Sequence, residues 1–425
     1  MISCIKNFIY KKYKMTRIIK LKSIDILKNT KDPIIIFSMN EESEALKFAC
    51  DENGIKVTAF CDNEIRKTKK THCGVETVYT PDLPSRFPNA NFIMAHHTLE
   101  DGAEQLQDLG YQNFFSPLEL LQSLDLDKYD YKVSKTYMKK KVENSIKINK
   151  LYFDDDKTYL RSVDIVITTK CSMNCESCAN LMQYYQGAKN TEVEIINAVN
   201  ALSNNVDHIS EYRIIGGEPL MNKNWAKITN DILNLDKVGG VYIYTNATIC
   251  PKDEQLESFK GKNVSFYITD YGKDLSKKVE SVIQALQKYN IPFYRRPAGN
   301  WVDCSQIKKH NRSADRLKQV FKECCAKTLY TVINGKLYTC PFIANANELR
   351  AIPDNKADFV ELNSNDENLR IKITKLAKKK TFFPGCDFCD GRPHDPNNAL
   401  EYSGKGLIKA GIQLGKSEKL PFEKH

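Results

Sequence analysis

Val163-Asp-Ile-Val-Ile-Thr168-Thr-Lys-Cys171-Ser-Met-Asn-Cys175-Glu-Ser-Cys178 is the stretch on which the fold and the chemistry turn. Its first half is a short apolar run that reads as a buried strand, and its second half places three cysteines on one tight loop at the strand's end. Three thiolates so spaced can hold three corners of a 4Fe-4S cube and leave the fourth iron open, because soft sulfur ligands select iron–sulfur clusters. Zinc is the alternative, but it needs a fourth ligand and no nearby histidine supplies one.

Outward from this loop the pattern repeats. Strands are expected at Ile209–Ile215, Val241–Thr245, Val264–Thr269 and Pro292–Arg296, and helices at Glu192–Leu202, Asn224–Leu235, Lys252–Phe259 and Ser276–Tyr289. Strand and helix units of this length indicate a parallel sheet, curved or barrel-like, with its chemistry at the carboxyl ends of the strands. At the next strand end stands Gly216-Gly217-Glu218-Pro219, where glycines let a ligand reach backbone carbonyls and Glu218 can fix an ammonium.

CxxxCxxC after one strand and GGEP after the next resemble the radical S-adenosylmethionine (SAM) superfamily. The resemblance implies a partial (β/α) barrel, a 4Fe-4S cluster on Cys171, Cys175 and Cys178, and S-adenosyl-L-methionine chelated by the open iron, with Gly216, Gly217, Glu218 and Pro219 about its amine. It also implies that Thr245-Asn246, and Thr269-Asp270 in Thr269-Asp270-Tyr271-Gly272, serve SAM. Two positions depart from the family pattern. Ala247 stands where relatives often carry glycine, and Ser177 stands where an aromatic residue commonly packs near the adenine, so the adenine must be held otherwise.

A second group of thiols lies downstream. Cys325 and Cys340 flank a hairpin read from Leu329–Val332 and Leu337–Thr339 around Asn334-Gly335, and Cys386-Asp-Phe-Cys389 follows. The pattern resembles the short, twitch form of the SPASM auxiliary-cluster extension, which implies a second 4Fe-4S cluster on Cys325, Cys340, Cys386 and Cys389. Cys324 could replace Cys325, and the spacing alone permits a Cys4 zinc site. A short core with a twitch extension looks most like the 2-deoxy-scyllo-inosamine dehydrogenases and radical SAM proteins encoded with surface-sugar genes. That likeness implies a dehydrogenase or epimerase of a sugar or sugar nucleotide, served by an external electron donor such as flavodoxin or ferredoxin. Arg295, Arg296, Trp301 and Asp303 are the candidate substrate contacts, with an Arg or Asp accepting the hydroxyl proton. A peptide-modifying maturase and a non-catalytic iron–sulfur or zinc scaffold are the competing readings.

The rest of the chain bounds these expectations. Its 425 residues allow two or three domains. Fourteen cysteines without a secretion signal point to reduced, metal-binding thiols and a cytoplasmic protein. The formal charge of +10 is local: seven bases and no acid fall within residues 1–22, leaving +3 for the remainder. Only 12 of 63 basic residues are arginine, which argues against nucleic-acid readout. No apolar run approaches the roughly 18 residues of a membrane span.

Residues 31–127 read as a Rossmann-like parallel α/β domain, from strands at Pro33–Phe37, Ile55–Cys61 and Asn91–Ala95, helices at Glu41–Asn53 and His97–Gly110, and a closing Phe114-Phe115. The first loop, Ser38-Met39-Asn40-Glu41-Glu42, lacks the glycines of a dinucleotide site, and Glu41 and Glu42 would repel phosphate. Asp62 at the second strand end is a lone candidate for ribose. His96 and His97 read as solvated loop residues. The remaining boundaries are a basic segment 1–30, a Lys-rich linker or solvated helix over 128–160, a core 161–303, an auxiliary-cluster domain 304–412 and a tail 413–425.

Overall fold

The computed structural model describes residues 17–64, 68, 71–95, 99–129, 135–186, 192–379, 381–415 and 420–425. Most of the basic segment, His96, His97 and Lys132 fall outside them. The chain divides into two compact units, Met1–Thr158 and Tyr159–His425.

The first unit is built on a five-stranded parallel sheet of β1 (Ile34–Phe37), β2 (Ala59–Asp62), β3 (Glu76–Tyr79), β4 (Asn91–Met94) and β5 (Phe114–Phe115), in the order β3-β2-β1-β4-β5. Strand β2 starts four residues later than the apolar pattern suggests. The amide of Ile55 still bonds to Cys50 O at 2.8 Å, so residues after the left-handed Gly54 finish the preceding helix before pairing begins. The edge strand β3 was not expected. The helix Glu41–Glu52 is closed by its own capping box, with Asn40 and Ser43 exchanging bonds, and Asp62 accepts from Met39 N at 2.9 Å and Glu64 N at 2.8 Å. The Lys-rich segment differs from a solvated linker. Lys135–Tyr152 is a helix that buries Met138, Val142 and Ile148, and its Ser145 hydroxyl donates to buried Glu42 at 2.7 Å.

The second unit carries an eight-stranded sheet. Its strands are β6 (Tyr159–Val166), β7 (His208–Ile215), β8 (Val241–Thr245), β9 (Val264–Asp270), β10 (Phe293–Pro297), β12 (Leu329–Ile333), β13 (Lys336–Tyr338) and β14 (Phe359–Glu361), ordered β10-β9-β8-β7-β6-β12-β13-β14. Strands β6 to β10 and β12 run parallel and the β12–β13–β14 meander is antiparallel, so the sheet is open rather than a closed barrel. Asn334 and Gly335 both take positive φ at the expected hairpin turn. A separate ribbon pairs β11 (Asn300–Val302) with β15 (Leu407–Lys409).

Alternation along the strands sorts the two faces. Val163, Ile165, Tyr212, Ile214, Val241, Ile243, Phe266 and Ile268 form the buried face with the helices. The other face carries Asp164, Arg213, Tyr244, Tyr267 and Tyr294. Tyr267 stacks between Tyr244 and Tyr294 at 4.8 and 4.9 Å, and Arg213 lies 4.6 Å over Tyr244. Asp164 and Arg213 face each other across β6 and β7 with 2.7 Å between Oδ1 and Nε. Burial pushes Asp164 up to about 6 despite the Arg213 charge. Such a raised carboxyl contributes stability that is complete below its ordinary value of 3.8 and lost as pH rises through about 6. Removing the guanidinium raises it further. Arg213→Met is therefore expected to cost about 3–5 kcal/mol at pH 8, with the deficit shrinking as pH falls from 8 towards 6 in denaturant titrations. A deficit independent of pH would refute this assignment.

Candidate active site

The Cys171–Cys178 loop leaves the carboxyl end of β6 and is held by the ends of β7 and β8. A side chain at Gly216 would collide with the Thr168 carbonyl, and one at Gly217 with the Lys170 carbonyl and, at 2.6 Å, Cys171 Cβ. The glycines thus let two backbones meet. Glu218 is fully buried. It accepts from Thr245 Oγ1 at 2.9 Å, Asn246 N at 2.8 Å and Leu220 N at 3.2 Å, so its carboxylate ties β7 to β8 instead of standing open to an ammonium. Burial pushes it up to about 7 against the pull of these donors. Pro219 opens the turn Pro219–Met221. Asn246 donates to Ser172 Oγ at 3.1 Å and lies 3.9 Å from Cys171 Sγ. Ala247 is buried at a φ of 53°, in the left-handed region that explains why glycine is usual there.

Burial pushes the Cys171 thiol up to about 12 and holds Cys175 and Cys178 above their ordinary value. Uncomplexed, these are inert thiols; bound to a metal, a thiol is deprotonated outright. Their donor set suits a cluster: three soft thiolates share one short loop that holds no histidine. The residues present therefore fit a polynuclear iron–sulfur group.

The remaining candidates divide by face. Asp270 and Arg295 lie towards the helices and bind each other, with Arg295 Nη2 at 2.8 Å from Asp270 Oδ2 and Nη1 at 2.8 Å from Glu280. Burial works to raise Asp270, but the Arg295 bond, the Gly272 amide and the Arg295 charge outweigh it and hold the carboxyl low. In this structure Arg295 and Asp270 are thus each other's partners. Thr269 and Arg296 lie on the opposite face, where Arg296 acts on Tyr244 and Tyr271. Tyr271 stands beside the three thiols and meets half-buried Trp301 edge-on at 5.8 Å. Asp303 is also committed: Oδ1 accepts from the Ser177 hydroxyl, Oδ2 from Lys405 N at 3.1 Å, and its carbonyl from Tyr402 Oη at 2.8 Å. The residue that breaks the family pattern, Ser177, is thus anchored by Asp303, whose two oxygens each already accept a hydrogen bond.

The second thiol group gathers around the start of β12. Burial holds Cys324 well above its ordinary value, reinforced by the nearby sulfurs of Cys325, Cys340 and Cys386. Cys389 is raised by burial and by Cys304, Cys324 and Cys340. Cys340 is pushed to about 11 and Cys386 to about 12. Backbone amides aim at three of these sulfurs: Ala326 N at Cys324 (3.4 Å), Ile343 N at Cys340 (3.5 Å) and Phe383 N at Cys386 (3.5 Å). Cys325 donates its amide to Arg392 O at 2.8 Å. Two residues that spacing did not single out complete this region. Arg312 donates to the carbonyls of Cys386 (3.4 Å) and Cys389 (2.9 Å). Arg392 stands among Cys325, Cys304, Cys324 and Cys340, whose thiolates, once deprotonated by a bound metal, would offset its burial, and its field also reaches Cys178 and Asp164. An Asp390-Gly-Arg-Pro393 run directly after the CxxC pair was the available signal.

Residues 165–292 match the family model of the radical SAM superfamily. This segment is a radical SAM domain. The match begins in β6, takes in the cysteine loop and the GGEP turn, and ends before β10. A radical SAM domain implies one 4Fe-4S cluster and SAM. Among solved structures, BtrN in complex with AdoMet and 2-DOIA is 12% identical over 59% of this chain and 100% of its own, with a TM-score of 0.36. The anSMEcpe structure with bound AdoMet is 14% identical over 58% of this chain and 93% of its own, at 0.35. Streptococcus suis SuiB bound to S-adenosylmethionine is 12% identical over 48% and 55%, at 0.26. Likenesses this low bear on nothing further. No curated protein matches the chain. No helix among the described residues is long and apolar enough to cross a membrane.

Proposed function

We propose that the chain is a radical SAM oxidoreductase that abstracts hydrogen from a carbinol carbon of a hydroxylated small molecule, a sugar or sugar nucleotide, and passes the second electron to an auxiliary 4Fe-4S cluster. The observation that carries this reading is the second group of thiols outside the matched segment, with the sulfurs of Cys324, Cys340, Cys386 and Cys389 acting on one another from three separate stretches of chain. This favours Cys324 over Cys325 as the fourth ligand.

Bound at Cys171, Cys175 and Cys178, the first cluster would supply the electron that cleaves SAM reductively. The chain's own part is to position the reactants. Tyr271 stands beside the cysteine loop with Trp301 packed edge-on against it, and Thr269 and Arg296 lie on one sheet face. Arg392 acts on both thiol groups, so a substrate held between them meets two guanidinium groups suited to phosphate. The parallel unit of residues 31–127, Rossmann-like in strand order, is assigned to recruitment of the nucleotide portion.

The test is anaerobic incubation with reductant, SAM and sugars or sugar nucleotides deuterated at the carbinol carbon. Label is expected in 5′-deoxyadenosine, with a ketone as product; an epimer instead would show that the substrate radical is quenched by hydrogen donation and passes no electron to the second cluster. Absence of label, or faster turnover of a peptide in parallel assays, would overturn the proposal.

A further inference from the structure

The tail beyond the second thiol group returns to the first. Glu176 N donates to Ile412 O and Leu414 N to Asn174 O, both at 2.7 Å, and Cys175 and Gln413 form an antiparallel bridge. Asn174 Nδ2 donates to Leu414 O at 3.0 Å, Asp303 N to Gly406 O at 2.9 Å, and Lys405 pairs with Glu176 at 3.4 Å. Residues 402–415 are thus a strap hydrogen-bonded along the cysteine loop.

Gln413 lies at its centre. Its Oε1 accepts from Asn174 N at 2.8 Å, and its Nε2 donates to Gly411 O at 2.9 Å and to Cys175 Sγ at 3.3 Å. The orientation of the amide is not arbitrary. A backbone N–H can only donate and a carbonyl can only accept, so these two neighbours fix the oxygen towards Asn174 and the NH2 towards Gly411 and the sulfur.

We infer that Gln413 is a positioning residue of the first cluster site: through a side-chain N–H···S bond to Cys175 it raises the one-electron reduction potential there. This rests on the reading of Cys171, Cys175 and Cys178 as cluster ligands. Reduction adds negative charge that spreads onto the thiolates, and a donor aimed at sulfur stabilises the reduced form more than the oxidised one. Burial of Cys175 protects the bond from competition by water.

The experiment compares full-length, anaerobically reconstituted wild type, Gln413→Met and Gln413→Lys by EPR-monitored redox titration, following the signal that responds to added SAM. Methionine keeps the length of the side chain and removes the donor; lysine keeps a donor. Gln413→Met is expected to retain its iron and shift the one-electron equilibrium up to tenfold, about 59 mV, towards the oxidised form. Gln413→Lys is expected at the wild-type potential or above. An unmoved potential in Gln413→Met overturns the inference. So does equal loss of iron or melting temperature in both variants with the potential of the remaining cluster unchanged, which would make the strap purely structural. If wild type binds no iron that depends on Cys171, Cys175 and Cys178, the cluster reading itself fails, a result distinguishable from the others.

Discussion

Replacing Cys171, Cys175 and Cys178 together with alanine is expected to halve the iron of anaerobically reconstituted protein, from about eight to about four atoms per chain, and to abolish SAM cleavage. The loss is complete because the loop offers no substitute ligand. Met173 directs its sulfur to Cys175 at 3.9 Å, and Asn246 and Gln413 contribute only N–H donors to the loop's sulfurs. The fold should survive. Glu218, Thr245 and Asn246 tie the strand ends without using any thiol, so the far-UV spectrum and melting transition should stay close to those of apo wild type. Iron remaining near eight, or SAM cleavage above background, would refute the assignment.

The second large effect separates two adjacent residues. Cys324→Ala is expected to remove about four irons and substrate turnover while leaving reductive SAM cleavage intact, and Cys325→Ala is expected to keep both. The Cys324 sulfur stands with those of Cys325, Cys340 and Cys386 and also acts on Cys389, whereas Cys325 gives its amide to Arg392 O and acts on Cys304. Cys386→Ala should behave as Cys324→Ala does. The reverse outcome, with Cys325 needed and Cys324 dispensable, would restore the ligand set suggested by spacing. Stoichiometric zinc at this site by metal analysis would remove the auxiliary cluster altogether.

Strands β6 to β9 were legible because apolar residues recur at alternate positions and make a face that helices must cover, and the first cysteine group and the GGEP turn stand just past the ends of β6 and β7. The uses of individual polar residues were not. Arg295 and Arg296 are neighbours in sequence, but a strand sends successive side chains to opposite faces, and only the register with Ile268 and Thr269 tells which one faces the helices. Asp303 looks like a spare acid until Ser177 and Lys405, 126 residues before and 102 after it, prove to hold both its oxygens. The bond from Gln413 to Cys175 spans 238 residues, and the strap that carries it has no periodicity to announce it. Cys324 and Cys325 cannot be told apart by spacing at all. Helix Lys135–Tyr152 was underestimated because its buried positions are interleaved with lysines whose stems lie along an apolar face.

The pairing of β12 with β6 has a consequence for how this chain could change. The first thiol group follows the carboxyl end of β6 and the second begins just ahead of β12, whose Leu329 is in register with Ser162. The ladder between the two strands is therefore a ruler for the gap between the sites. Its graduations are coarse: each step along a strand is about 3.3 Å, and a slip of one residue turns Tyr330 and Val332 out of the core. Only a two-residue slip, about 6.6 Å, preserves the faces. Point substitutions can recolour the space between the two sites, but its length can change only in that quantum.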